Sequence, residues 1–214
     1  MIRDTNFSSE VEMKAFIDEA FSSAIKNLKR MVESDEIKGK VADAAKMIIV
    51  SCAQGGQLLA AGNGGSAADA QHMIAELIVK LGPDRSPIRG IALSTDTSIM
   101  TAVGNDYGYD YVFSRQVYAH MRPGDLFLGI TTSGNSPNIL RALEAVKKSG
   151  GKSILLSGKD GGKCKALADL AILAPGETTN MIQECHILIY HTLCYLIEKG
   201  LAERGIIQYN DKKI

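Results

Sequence analysis

The 214-residue chain carries no excess charge of either sign, since 24 basic residues meet 24 acidic ones, and its lysines and arginines form no long run. That excludes the basic stripe with which a protein follows a nucleic-acid backbone, and it points to a small partner. The four cysteines, Cys52, Cys164, Cys185 and Cys194, include no C-x-x-C pair. Neither a thiolate zinc cluster nor a disulfide framework is written into them, and a reducing, cytoplasmic setting is expected. No apolar run approaches the roughly 20 residues of a membrane span, and the first residues are polar rather than charged-then-apolar, so no membrane partner is expected. Proline is scarce, and no Pro/Ser-rich linker, low-complexity tract or internal repeat divides the chain. One α/β domain over residues 1–214 follows as the expectation.

What is present is an alternation of two periods. Apolar residues recur at helical spacing from Glu10 to about Glu33 (Phe16, Ala20, Ile25, Leu28, Val32) and again from Gly39 to Ala53. Both patterns precede any strand, so residues 1–35 read as a helical segment outside a core of 36–200. Short apolar runs then follow at Leu58–Ala61, Ile88–Leu93, Leu126–Ile130, Ser153–Leu156 and Leu170–Leu173, separated by helical patterns. That order predicts three layers, a central parallel sheet with helices on both faces. A last helix is predicted from Met181 to Lys199, with Ile182, Cys185, Ile189, Leu193, Leu196 and Ile197 as its apolar stripe and Gly200 as its end.

The densest chemistry lies in GNGGSAADAQHMIAE, Gly62 to Glu76. Gly62, Gly64 and Gly65 permit positive φ and close backbone approach, and the helix start behind them offers free N–H groups and a positive dipole end, a cradle for phosphate or sugar oxygens. On that helix His72 and Glu76 stand four apart on one face, a spacing that suits a zinc site, an acid/base pair or a plain surface ion pair. Gly62, Gly64 and Ala67 also satisfy the G-x-G-x-x-A dinucleotide fingerprint, which needs an acidic residue about 20 positions on. Asp84 lies near that distance but ahead of the second strand.

A second cradle, Thr131-Thr132-Ser133-Gly134-Asn135-Ser136, follows a strand directly and precedes a helix. Ser136 and Pro137 suit the N-cap and first helical positions, but capping does not explain Thr131, Thr132 and Ser133. Hydroxyls gathered at a helix start make an uncharged phosphate site. His120, His186 and the cysteines have no comparable partners and read as packing or surface residues.

With the intervening Ser94-Thr95-Asp96-Thr97 and Gly104-Asn105-Asp106-Tyr107-Gly108, these cradles resemble the sugar isomerase (SIS) domain family, and within it the phosphoheptose isomerases, over roughly Asp43 to Lys199. The resemblance implies an SIS-type fold and interconversion of sedoheptulose 7-phosphate and D-glycero-D-manno-heptose 7-phosphate through an enediolate, supplying heptose for cell-surface polysaccharide. It implies one zinc ion held by His72, Glu76, Gln183 and His191, with Glu76 as base and His191 as acid. It implies substrate contacts from Asn63, Gly64, Gly65, Glu76, Asn105, Asp106, Thr131, Thr132, Ser133, Ser136 and Gln183, and a homo-oligomer, the tetramer of the resembling enzymes. A non-catalytic SIS protein, such as a replication-initiation regulator, is the alternative, but that regulator lacks the Glu76 and His191 positions. Gln183 and His191 are eight residues apart, about 12 Å along a regular helix, so one ion can take both only through a distorted helix or a neighbouring subunit. Two departures bear on the sugar. The family's Leu-x-Gly-Arg reads Leu77-Ile78-Val79-Lys80, and its Arg-Ile-Gln-Glu reads Met181-Ile182-Gln183-Glu184, after Asn180 where an acidic residue stands in the family. Lysine keeps the arginine's charge without its planar fork.

Overall fold

A computed structural model describes residues 9–209. Two helices come first, α1 (Glu10–Glu33) and α2 (Asp35–Ala53). Ser34 closes the first and caps the second, its hydroxyl accepting from the N–H of Ile37. The second helix therefore begins four residues earlier than the apolar spacing indicates, because a cap and the acidic pair Asp35 and Glu36 favour its N-terminus. The remaining chain alternates β1 (Leu58–Gly62), α3 (Gly65–Ile78), β2 (Gly90–Ala92), α4 (Thr97–Asp106), α5 (Ser114–His120), β3 (Leu126–Thr131), α6 (Pro137–Lys148), β4 (Lys152–Gly158), α7 (Gly162–Lys165), β5 (Leu170–Ala174) and α8 (Thr179–Glu203).

The five strands form one sheet in the order β2-β1-β3-β4-β5, every pair parallel. Alternate strand residues feed two cores. Leu58, Ala60, Leu128, Ile130 and Ile154 pack with Ile48 of α2, Met73 and Leu77 of α3, and Ile189 and Leu193 of α8. Leu59, Ala61, Phe127 and Leu155 pack on the other face with Val103 of α4, Val117 of α5, and Ile139 and Leu143 of α6. Strands covered on both faces read as continuous apolar runs, which is why they were legible as such. The edge strand β2 is only three residues long, shorter than the run Ile88–Leu93, since it pairs with β1 alone.

The predicted stop at Gly200 is wrong. The helix α8 continues to Glu203, and Gly200 lies inside it facing α2, where a Cβ would overlap Cδ1 of Ile49. Glycine there serves close helix packing rather than termination. Helix α1 is anchored at its far end, where Asn27 donates to the carbonyls of Pro175 and Met181. Its earlier turns leave Phe16, Ile17, Phe21 and Ile25 exposed. Among the described residues, no helix is long and apolar enough to cross a membrane.

Candidate functional site

The sheet order places a topological switch between β1, which leads to β2 on one side, and β3, on the other. The helices after these two strands pack on opposite faces, so a crevice opens at the strands' carboxyl ends, the usual ligand position in open parallel sheets. Both sequence cradles border it.

In the first, only Gly64 takes a positive φ, at 55°. Gly62 and Gly65 are needed for space instead. A Cβ at Gly62 would overlap the Ser66 carbonyl, and one at Gly65 would stand 2.5 Å from Nε2 of Gln183. Gly64 is the N-cap of α3 and brings no side-chain bond, so the helix start has no internal anion substitute. The Asn63 amide is not free: it exchanges two hydrogen bonds of 2.9 Å with Asn138, in the first turn of α6, and its Oδ1 accepts a third from the Tyr109 hydroxyl at 3.2 Å. That pair ties the first cradle to the helix following the second. Asn138 is 2% exposed, and nothing in its sequence position distinguishes it from an ordinary first-turn residue.

The second cradle is locked from behind. Asn135 donates to the Ser133 carbonyl and accepts from the N–H of Lys163 at the start of α7. Thr131 is buried, its hydroxyl 3.0 Å from that of Ser136 and its carbonyl taken by the Ser157 hydroxyl. Ser136 does occupy the N-cap of α6, with Pro137 after it, but its hydroxyl turns to Thr131 rather than to the helix. Asn105 and Asp106 lie exposed at the end of α4, bonded to each other at 2.8 Å, just before the turn that brings Tyr109 to Asn63.

Helices α3 and α8 run side by side in the same direction, which carries His191 to the His72–Glu76 face. One ligand atom from each of His72, Glu76 and His191 lies within 4.8 Å of the others. Nε2 of His72 is 3.1 Å from Oε1 of Glu76, and Nδ1 is 2.8 Å from the Tyr190 hydroxyl. Nε2 of His191 is buried with no hydrogen-bond partner. An orphaned buried imidazole nitrogen beside a second imidazole and a carboxylate fits a zinc ion by donor type and by its unmet bonding capacity. Gln183 lies against Gly65 at the start of α3, eight residues before His191 on the continuous helix α8. Asp69, one turn before His72, escaped sequence reasoning. Burial raises its carboxyl to about 6, with His72 opposing the shift. The C-terminal end of α3 is held by Arg85, which donates to the carbonyls of Glu76 and Leu77 and pairs with Glu198 of α8 at 2.9 Å.

Other candidates fall away. His186 is fully buried and bonded to the Ser157 carbonyl at 3.0 Å; burial lowers its pKa to about 4, so it is a neutral packing residue. All four cysteines are free, and burial pushes Cys194 up to about 12 and the others to about 11, the reverse of an activated thiol. Against a dinucleotide site, Asp84 pairs with Lys80 at 3.6 Å, and Asp96 caps α4 through the N–H of Ile99. Neither carboxylate stands at the end of β2 to receive a ribose.

The chain is similar to known proteins in sequence and in fold. The SIS domain profile matches residues 20–158. A phosphoheptose isomerase of Sulfurimonas denitrificans is 44% identical over 194 residues, 91% of this chain and the whole of that protein. Solved phosphoheptose isomerases superpose closely. The one from Neisseria gonorrhoeae has a TM-score of 0.81 at 38% identity, covering 87% of this chain and 99% of its own. The one from Francisella tularensis has a TM-score of 0.84 at 35% identity, covering 87% and 98%.

Proposed function

The chain belongs to the phosphoheptose isomerases of the SIS domain family, and from that premise we propose that it is an aldose-ketose isomerase converting D-sedoheptulose 7-phosphate to D-glycero-D-manno-heptose 7-phosphate. The observation that carries this reading is the meeting of Glu76 and His191, from helices far apart in sequence, on the face of the helix that starts at the first cradle. A non-catalytic SIS protein has no use for that pair.

Moving a carbonyl from C2 to C1 requires a proton to leave C1, charge to be held on the enediolate, and a proton to return at C2. We assign the C1 proton to Glu76. One of its oxygens faces His72, and a carboxylate has a second to receive the proton. His191, opposite, manages the proton on the substrate oxygen. The sugar phosphate lies across the crevice, with its phosphate at Thr132, Ser133 and Ser136 and the start of α6. Its hydroxyls lie toward Gly64, Gly65 and Gln183, with Asn105 and Asp106 at the rim. Thr131 and the Asn63 amide, already engaged, hold the loops in shape. Zinc would be held by His72, Glu76 and His191, three protein donors being the usual number where a position is kept for substrate, and when bound it would polarise the substrate's oxygens.

We further propose a single SIS domain, acting in the cytoplasm for surface-polysaccharide heptose and assembled as a homotetramer through the segment 1–35. Support comes from the exposed apolar residues Phe16, Phe21 and Ile25 of α1, and Leu188 and Leu196 of α8. The deciding experiment incubates the protein with sedoheptulose 7-phosphate, with and without zinc, and follows aldose formation. Glu76→Gln should lose at least about a hundredfold in kcat, the ordinary worth of a positioned base, with an unchanged fold. Turnover in that variant equal to wild type would remove Glu76 from the chemistry.

A further inference from the structure

Tyr190 touches both histidines of the candidate site and has no part in the chemistry above. It precedes His191 on α8 and is 1% exposed. Its ring meets both histidines edge-on, 5.5 Å from His72 at 72° and 4.9 Å from His191 at 79°. Its hydroxyl is 2.8 Å from Nδ1 of His72, whose other nitrogen faces Oε1 of Glu76 at 3.1 Å. The His72 side chain is otherwise 46% open to solvent, so the hydroxyl and the carboxylate are what hold the ring at its two ends.

The two neighbours differ in what they can do. A carboxylate only accepts, so in the metal-free protein a neutral His72 carries its proton on Nε2, and Nδ1 accepts from Tyr190. A metal taken at the nitrogen facing Glu76 displaces that proton. That proton goes to water and Nδ1 takes one up in its place, so the ring stays neutral with its single N–H on Nδ1, where the Tyr190 oxygen must accept from it. A hydroxyl serves in both states, whereas a carbonyl or carboxylate in its place would serve only the second. We propose that Tyr190 is a positioning residue of the metal centre, holding the His72 ring with Nε2 toward Glu76 and His191 in both states and exchanging donor for acceptor as the metal enters. This rests on the metal-centre reading given above.

The test combines zinc affinity, measured by competition with a chromophoric chelator, with nitrogen–proton NMR of histidine-labelled protein. Tyr190→Phe keeps the buried ring and should weaken zinc about 10- to 100-fold with an unchanged circular dichroism spectrum, the usual effect of removing an outer-shell partner. Wild-type His72 should show its proton on Nε2 without metal and on Nδ1 with zinc. Affinity in a folded Tyr190→Phe within about twofold of wild type overturns the proposal. So does a zinc-loaded wild-type spectrum with the proton still on Nε2, an outcome that needs no variant. Wild-type protein that binds no zinc overturns the metal centre itself, a failure distinct from either of these.

Discussion

Arg85→Met is the sharpest perturbation of the scaffold beneath the site. The guanidinium, 4% exposed, makes four hydrogen bonds: to Glu198 at 2.9 Å, and to the carbonyls of Leu77 at 2.7 Å, Ser86 at 3.0 Å and Glu76 at 2.8 Å. Removing it leaves the Glu198 carboxylate in the interior without its cation, only the Tyr209 side chain still bonded to it, a loss of about 3–5 kcal/mol. The Leu77 carbonyl keeps the N–H of Ile88 at 3.0 Å, but the Glu76 carbonyl loses its side-chain donor at the end of α3. With a urea slope of about 2–3 kcal/mol/M for a chain of this size, the midpoint should fall by about 1–2.5 M. The double variant Arg85→Met/Glu198→Leu removes the stranded charge as well. What remains is the cost of the Glu76 and Ser86 carbonyls left short of a side-chain donor, about 1–3 kcal/mol, so the double variant should be the more stable of the two. Urea unfolding followed by circular dichroism, at one protein concentration so that any self-association contributes equally to the two variants, measures both. A loss below about 1 kcal/mol in Arg85→Met, or a double variant no better than the single, would falsify the view that this buried pair clamps α3 to α8.

Three further outcomes are expected. His186 titrates at about 4 in the fold against an ordinary 6.5, so the unfolded chain takes up its proton first as pH falls; stability should drop by about 3 kcal/mol between those values. His186→Gln should flatten that part of the curve, and an acid slope identical to wild type would refute the assignment. Asn138→Ala deletes both bonds to Asn63, each worth about 1 kcal/mol, and should raise KM for the sugar phosphate roughly 5- to 30-fold while kcat changes less; an unaltered KM would show that the brace between the cradles is dispensable. Phe16→Glu combined with Phe21→Glu should reduce the particle mass in light scattering at micromolar concentration, and an unchanged mass would exclude α1 from the interface.

Where sequence reading went astray, one residue type served two purposes. Glycine marks helix ends and also close contacts, so Gly200 read as a stop until Ile49 was found against it. The glycines of the first cradle suggested three positive-φ positions, but only Gly64 uses that freedom, while Gly62 and Gly65 make room for Ser66 and Gln183. Ser136 has the residue type of a cap and holds the cap position, yet its hydroxyl bonds Thr131 and not the helix.

The sequence by itself determined the strands, the helices, the two cradles and the pairing of His72 with Glu76. Each depends on neighbours within a few residues, on backbone period, local capping or the four-residue helical spacing. Residue spacing did not show what meets that pair: the family resemblance implied His191, and only the tertiary structure brought it there and added Tyr190. His191 lies 115 positions after Glu76, and Tyr190 reaches Nδ1 of His72 across 118. Their arrival is fixed by the register in which α8 packs beside α3, and that register is set by the apolar core the two helices share and by the Arg85–Glu198 pair at its far end. The same packing sets Gln183 against Gly65 at the start of α3.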